Sequence, residues 1–169
     1  MGKSTSRKII LFPPPLEAGF RKLKLEMIQI EQIHDLPHLP WATNTAEQVS
    51  EVFRTKESIL NRSKEIYLLR NSKGAPLLVV GLMQTNFVSG WHIWTMVCKC
   101  DLKRYVRTLR KMLHILVKQL GYIMITVDKA FPVGQRFAEF LGFRLTSEVD
   151  SIDNKTYCFY GMDKAWLTQ

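Results

Sequence analysis

No glycine occurs between Gly90 and Gly121, and a helical pattern fills most of that interval. The apolar positions Leu102, Tyr105/Val106, Leu109, Met112/Leu113, Leu116 and Leu120 recur at helical spacing and predict a stripe facing the core. Lys103, Arg107, Arg110, Lys111, His114 and Lys118 fall on the opposite face, so the outside of this helix is cationic. Asp101 stands where a side chain caps a helix, and Gly121 where a left-handed residue ends one. The nearly all-apolar run Tyr122 to Val127 comes next, then a second helix from Pro132 to Leu141, stopped by Gly142. A short apolar run between two helices predicts a buried central strand with helices packed on its sheet.

The flanking segments complete the domain. From Leu23 to Ile33 apolar residues recur at intervals near two, which predicts a strand, and Pro37 and Pro40 then force a loop. Asn44 or Thr45 caps a predicted helix whose apolar positions include Val49, Val52/Phe53 and Ile59/Leu60. Glu65 to Leu69, Leu77 to Gln84 and Trp91 to Cys100 read as an antiparallel meander, turning at Asn71 to Gly74 and at Ser89-Gly90. Two closing strands, Arg144 to Val149 and Tyr157 to Met162, flank the polar turn Asp150 to Lys155. The expected order is β-α-β-β-β-α-β-α-β-β. It describes an α+β (α/β) fold over residues 23–169, with a mixed central sheet of about seven strands flanked by helices.

At 169 residues and 46% hydrophobic content the chain has material for one core. The net charge of +9 is concentrated in two places. Lys3, Arg7, Lys8, Arg21, Lys22 and Lys24 oppose only Glu17 near the start, and Lys99 to Lys118 holds seven basic residues against Asp101. Residues 1–22, with Pro13-Pro14-Pro15 and no periodicity, read as an extended basic arm of polyproline character. Those prolines cut short the apolar stretch Ile9 to Phe12, so no secretory signal is expected, and Ala75 to Met83 is too short to span a bilayer. These features predict a cytoplasmic protein with no membrane span. Cys98, Cys100 and Cys158 are expected to be reduced, and neither they nor His34, His38, His92 and His114 show zinc spacing, so no metal is expected.

The element order, together with Arg136-Phe137-Ala138-Glu139-Phe140-Leu141-Gly142-Phe143, resembles the GNAT superfamily of acyl-CoA-dependent N-acyltransferases, whose last helix turns into a strand at a Leu-Gly-Phe corner. The resemblance covers about 140 residues in topology and is sharpest from Trp91 to Phe143. It implies a coenzyme loop between the fourth strand and the long helix, where glycines let backbone N–H groups approach the pyrophosphate. Aligning that loop at Asp101 to Val106 or at Arg104 to Leu109 supplies no glycine, although Lys103, Arg104 and Arg107 offer charged side chains to phosphates. The tyrosine that often serves the family as general acid falls at Ala138, and the asparagine near the start of that helix falls at Phe131-Pro132. Trp91 to Cys100 contains no carboxylate, which leaves His92 as the candidate base. The chain is similar, less specifically, to GNAT-like proteins of tailed bacteriophages, some of them virion components.

These departures predict a degenerate, non-catalytic GNAT-fold protein that serves as a structural or binding component, associated with virions or host cytoplasm and requiring no cofactor. On that reading the arm docks on other subunits. Lys103, Arg104, Arg107, Arg110, Lys111 and Lys118 then face nucleic acid or an acidic protein surface. Two alternatives remain: an active N-acetyltransferase holding acetyl-CoA through Lys103, Arg104 and Arg107 with His92 as base, and non-specific nucleic-acid binding by the helix.

Overall fold

A computed structural model describes residues 23–27, 62–84, 90–98, 101–151 and 154–168. The arm 1–22, the helix expected after Asn44 and Cys100 lie outside the described residues. Seven strands form one sheet: β1 (Leu23–Met27), β2 (Glu65–Asn71), β3 (Pro76–Gln84), β4 (Trp91–Val97), β5 (Tyr122–Asp128), β6 (Arg144–Asp150) and β7 (Thr156–Asp163). Their spatial order is β1-β2-β3-β4-β5-β7-β6, with every pairing antiparallel except β4 with β5. The meander and the closing hairpin thus stand where the alternation of apolar residues put them. At the β2–β3 turn the Asn71 side chain accepts from the Lys73 and Ala75 N–H groups, and Gly74 takes φ 86°.

The long helix begins later than the pattern implied. Leu102–Tyr105 form a 3-10 turn, and helix α1 runs over Val106–Leu120. Asp101 caps neither of them; its carboxylate instead pairs with the Arg104 guanidinium at 3.1 Å. The buried stripe of α1 is Leu109, Met112, Leu116 and Val117, so Val117 is buried where the spacing pointed to Leu120. Helix α2 (Pro132–Leu141) ends at Gly142, whose φ of 101° is left-handed. Its N–H and that of Phe143 bond back to the last-turn carbonyls of Glu139 and Ala138, which turns Phe143 into the core.

The two helices cover one face of the sheet, packing on Tyr67, Leu69, Leu78, Leu82, Ile93, Ile123, Tyr160 and Met162. The other face also carries buried side chains, among them Ile66, Leu68, Val79 and Met96. Trp94 lies there across Gly81, where an added Cβ would sit 2.0 Å from the indole, and its Nε1 donates to Ser63 Oγ at 2.7 Å. Expected to be a buried central strand, β5 is buried only at Ile123 and Met124 and half-buried from Ile125 to Asp128. The reason is its neighbour: β4 leaves β5 after two residue pairs. Among the described residues no helix is long and apolar enough to cross a membrane.

Candidate functional site

The parallel contact between β4 and β5 consists of Trp91 opposite Ile123 and His92 opposite Met124. Beyond it the ladder stops, although β4 stays paired to β3 as far as Val97 and β5 to β7 as far as Asp128. The two strands therefore part within the sheet, and each turns an edge of backbone N–H and C=O groups toward a gap. Such groups need partners once water is excluded, so the gap is a cradle for an extended chain carrying amides.

His92 stands at the apex of this gap. Its Nε2 lies 3.1 Å from Thr126 Oγ1, which bridges the strands just past their last pair. The ring is half-buried on the face opposite α1 and α2, and burial pushes its pKa below the usual histidine value, with the Arg62 charge adding to the effect. Both causes disfavour the imidazolium, so the ring is neutral at physiological pH and able to accept a proton. Thr126 was missed in the sequence because its importance comes from the parallel register of two strands separated by a helix. Alternation along the strand assigned it a face and no neighbour.

Two other aromatic groups near the gap have structural roles. Trp94 lies toward β3, over Gly81, and does not enter the space beside β5. Tyr122 shares the face of His92, but its hydroxyl lies over Gly161 of β7, away from β4, in the space that a Cβ there would occupy. Burial and, secondarily, Asp163 raise its pKa, so the phenol stays protonated.

After β4 the chain reaches the 3-10 turn and the first turn of α1. Lys103, Arg104 and Arg107 are all exposed there, Arg104 paired with Asp101. Neither element has a side-chain cap or an acidic residue in its first turn, so the positive end of α1 is left uncompensated. Arg110, Lys111 and Lys118 continue along the outer face of α1, exposed. The structure thus sets His92 at the last β4–β5 pair and Lys103, Arg104 and Arg107 on the exposed surface of the 3-10 turn and the first turn of α1, with Arg110, Lys111 and Lys118 farther along that helix. Among the described residues no cluster of His, Cys, Asp or Glu is arranged to hold a metal ion.

A seven-stranded mixed sheet whose one parallel pairing, β4 with β5, is short and is joined through a long helix has the GNAT fold of N-acyltransferases. Solved structures with that fold match this chain, among them spermidine N-acetyltransferase of Vibrio cholerae in complex with CoA and spermine, with a TM-score of 0.63 at 13% identity over 88% of this chain and 99% of that one. A chimera of the Vibrio cholerae enzyme with hSSAT gives a TM-score of 0.65 at 11% identity over 88% and 99%. A dodecameric form of the same enzyme gives 0.58 at 12% over 86% and 96%. The sequence matches no family model and no curated protein.

These matches correct the expectation of a non-catalytic structural component. The fold they share with this chain is that of N-acetyltransferases, and among the described residues of this chain β4 and β5 pair over two residues only. The virion role expected from the bacteriophage likeness is withdrawn with it.

Proposed function

We propose that this protein is an acyl-CoA-dependent N-acyltransferase that acts on an amine. The observation that carries this reading is the parting of β4 and β5 directly beyond His92. The residues present fit the acyl donor. The facing backbone edges match the amides of a pantetheine arm, and Lys103, Arg104 and Arg107 surround a helix start with no competing carboxylate beyond the Asp101 that holds Arg104. Where relatives of this fold present bare glycine backbone to the pyrophosphate, this chain offers cationic side chains at the edge of a 3-10 turn. Bound acyl-CoA supplies an activated acyl group as a thioester.

In the transfer the amine nitrogen forms a bond to the acyl carbon as the carbon–sulfur bond breaks, and one proton leaves the nitrogen. His92, neutral and oriented by Thr126, receives that proton directly or through a water molecule. Ala138, 1% exposed in α2, has no proton to give, so the departing thiolate is protonated by the solvent or by the proton released from the amine. Holding amine and thioester at one apex accounts for the catalysis that does not require an acid.

Spermidine is the first acceptor to assay, since it is the substrate in the names of the structural neighbours. Calorimetry with acetyl-CoA and a thiol-release assay with spermidine and other primary amines test the reading. Micromolar binding with amine-dependent thiol release is expected; absence of binding at millimolar acetyl-CoA would sink it.

A further inference from the structure

A cavity of about 70 Å³ lies between the helix-covered face of the sheet and helices α1 and α2. The described residues that line it are apolar apart from Tyr67 and Thr95, which turn no polar atom toward it. Protein cores seldom leave voids much larger than one water molecule, which needs about 10–15 Å³. This cavity therefore has room for about five water-sized or methylene-sized groups, and its apolar wall offers water no partners.

It shares one strand, β4, with the gap. Ile93, Thr95 and Val97 of β4 line it, and these alternate residues begin immediately after His92, the last residue paired to β5. The strand segment that forms one edge of the gap is thus also a wall of the cavity. Leu113 of α1 and Phe137 of α2 line it on the helix side, and it is partly open to solvent, with Thr95 exposed. His92 and Thr126 lie on the other face of the sheet, so a thioester in the gap would have the proton acceptor on one side and the cavity on the other.

Resting on the transferase reading above, we infer that the cavity is an acyl-chain site and that the preferred donor is a CoA thioester with a linear apolar chain of about four to six carbons. Such a chain leaves water for an apolar space already formed, whereas an acetyl group leaves that space empty. Among the described residues no charged group lines the cavity, so a dicarboxylic acyl chain is disfavoured.

The test compares acetyl-, butyryl- and hexanoyl-CoA with one amine, measuring kcat/KM by thiol release and affinity by calorimetry on the unaltered protein. Hexanoyl-CoA is expected to exceed acetyl-CoA by about tenfold or more in both measurements. Leu113→Phe and Val97→Phe, which place ring atoms in the cavity, are expected to lower the hexanoyl to acetyl ratio by at least about tenfold. General damage to the protein would lower both rates and leave the ratio unchanged. Acetyl-CoA equal to or better than hexanoyl-CoA in the unaltered protein overturns the acyl-chain site while leaving the transferase reading standing. Failure of every thioester to bind or react overturns both.

Discussion

His92 shows how a side chain unremarkable in a sequence acquires a chemical role. It was the remaining candidate base because the fourth strand holds no carboxylate, and the structure sets it on Thr126 at the point where two strands part. Because burial and Arg62 lower its pKa, the unfolded chain binds this proton more readily than the folded one between the depressed value and the usual 6.5. Its contribution to stability is therefore unfavourable at acid pH and fades as pH rises through 6.5. For catalysis the neutral form is the base, so kcat/KM should fall on acidification only at a pH below the ordinary histidine value. His92→Gln should remove that acidic limb while retaining acyl-CoA binding; a limb that persists in the variant assigns the titration to another group. Gly81 supplies a second residue-scale prediction. A methyl group there would sit 2.0 Å from the Trp94 ring, so Gly81→Ala should destabilise the fold by about 1–3 kcal/mol in urea unfolding. Nothing in the run Leu77 to Gln84 announces this, since the glycine answers to a tryptophan on the neighbouring strand.

Helix α1 was legible as an element and misread at its start. The apolar spacing located its buried stripe, and Gly121 its end, because both are local properties of a helix. Asp101 stands at the N-cap position of the 3-10 turn, but its carboxylate pairs with Arg104 and caps no backbone N–H, and α1 itself starts only at Val106, without a side-chain cap. Arg107→Glu should then weaken acetyl-CoA binding by at least about tenfold, with the deficit shrinking as salt is raised, because a screened charge loses reach. Equal affinity in the variant at low salt would remove Arg107 from the donor site. The core side of the same helix carries stability: Leu116, 3% exposed, packs against the sheet, and Leu116→Ala should cost about 2–5 kcal/mol in chemical unfolding. Helix α2 and its corner were readable almost residue by residue, since a proline start and a left-handed glycine end are imposed by backbone chemistry.

At the scale of the whole molecule, the sheet order and the gap make the protein what it is. The chain gave the number and order of its strands through alternation, turn residues and glycine stops, because each of those signals acts within a few residues. Its basic helix was equally plain, and the exposed Arg107, Arg110, Lys111 and Lys118 of α1 stand in the structure. A ligand that binds only the folded state stabilises it by an amount that grows with the logarithm of ligand concentration above Kd, so acetyl-CoA added at a hundred times its Kd should stabilise the protein by about 2.7 kcal/mol and raise its melting temperature. An unchanged melting temperature at saturating ligand would contradict a site built into the folded sheet. What the amino acids by themselves determined is a mixed sheet with two helices of known polarity, a cationic helix surface and a lone histidine on the fourth strand. The tertiary structure alone decided that this strand leaves its parallel neighbour after two pairs, and that His92 meets Thr126 there, with an apolar cavity behind the same strand. Parallel strands joined through a helix have no turn between them to fix their register, so whether they stay together or part is set by the packing of helices and neighbouring strands.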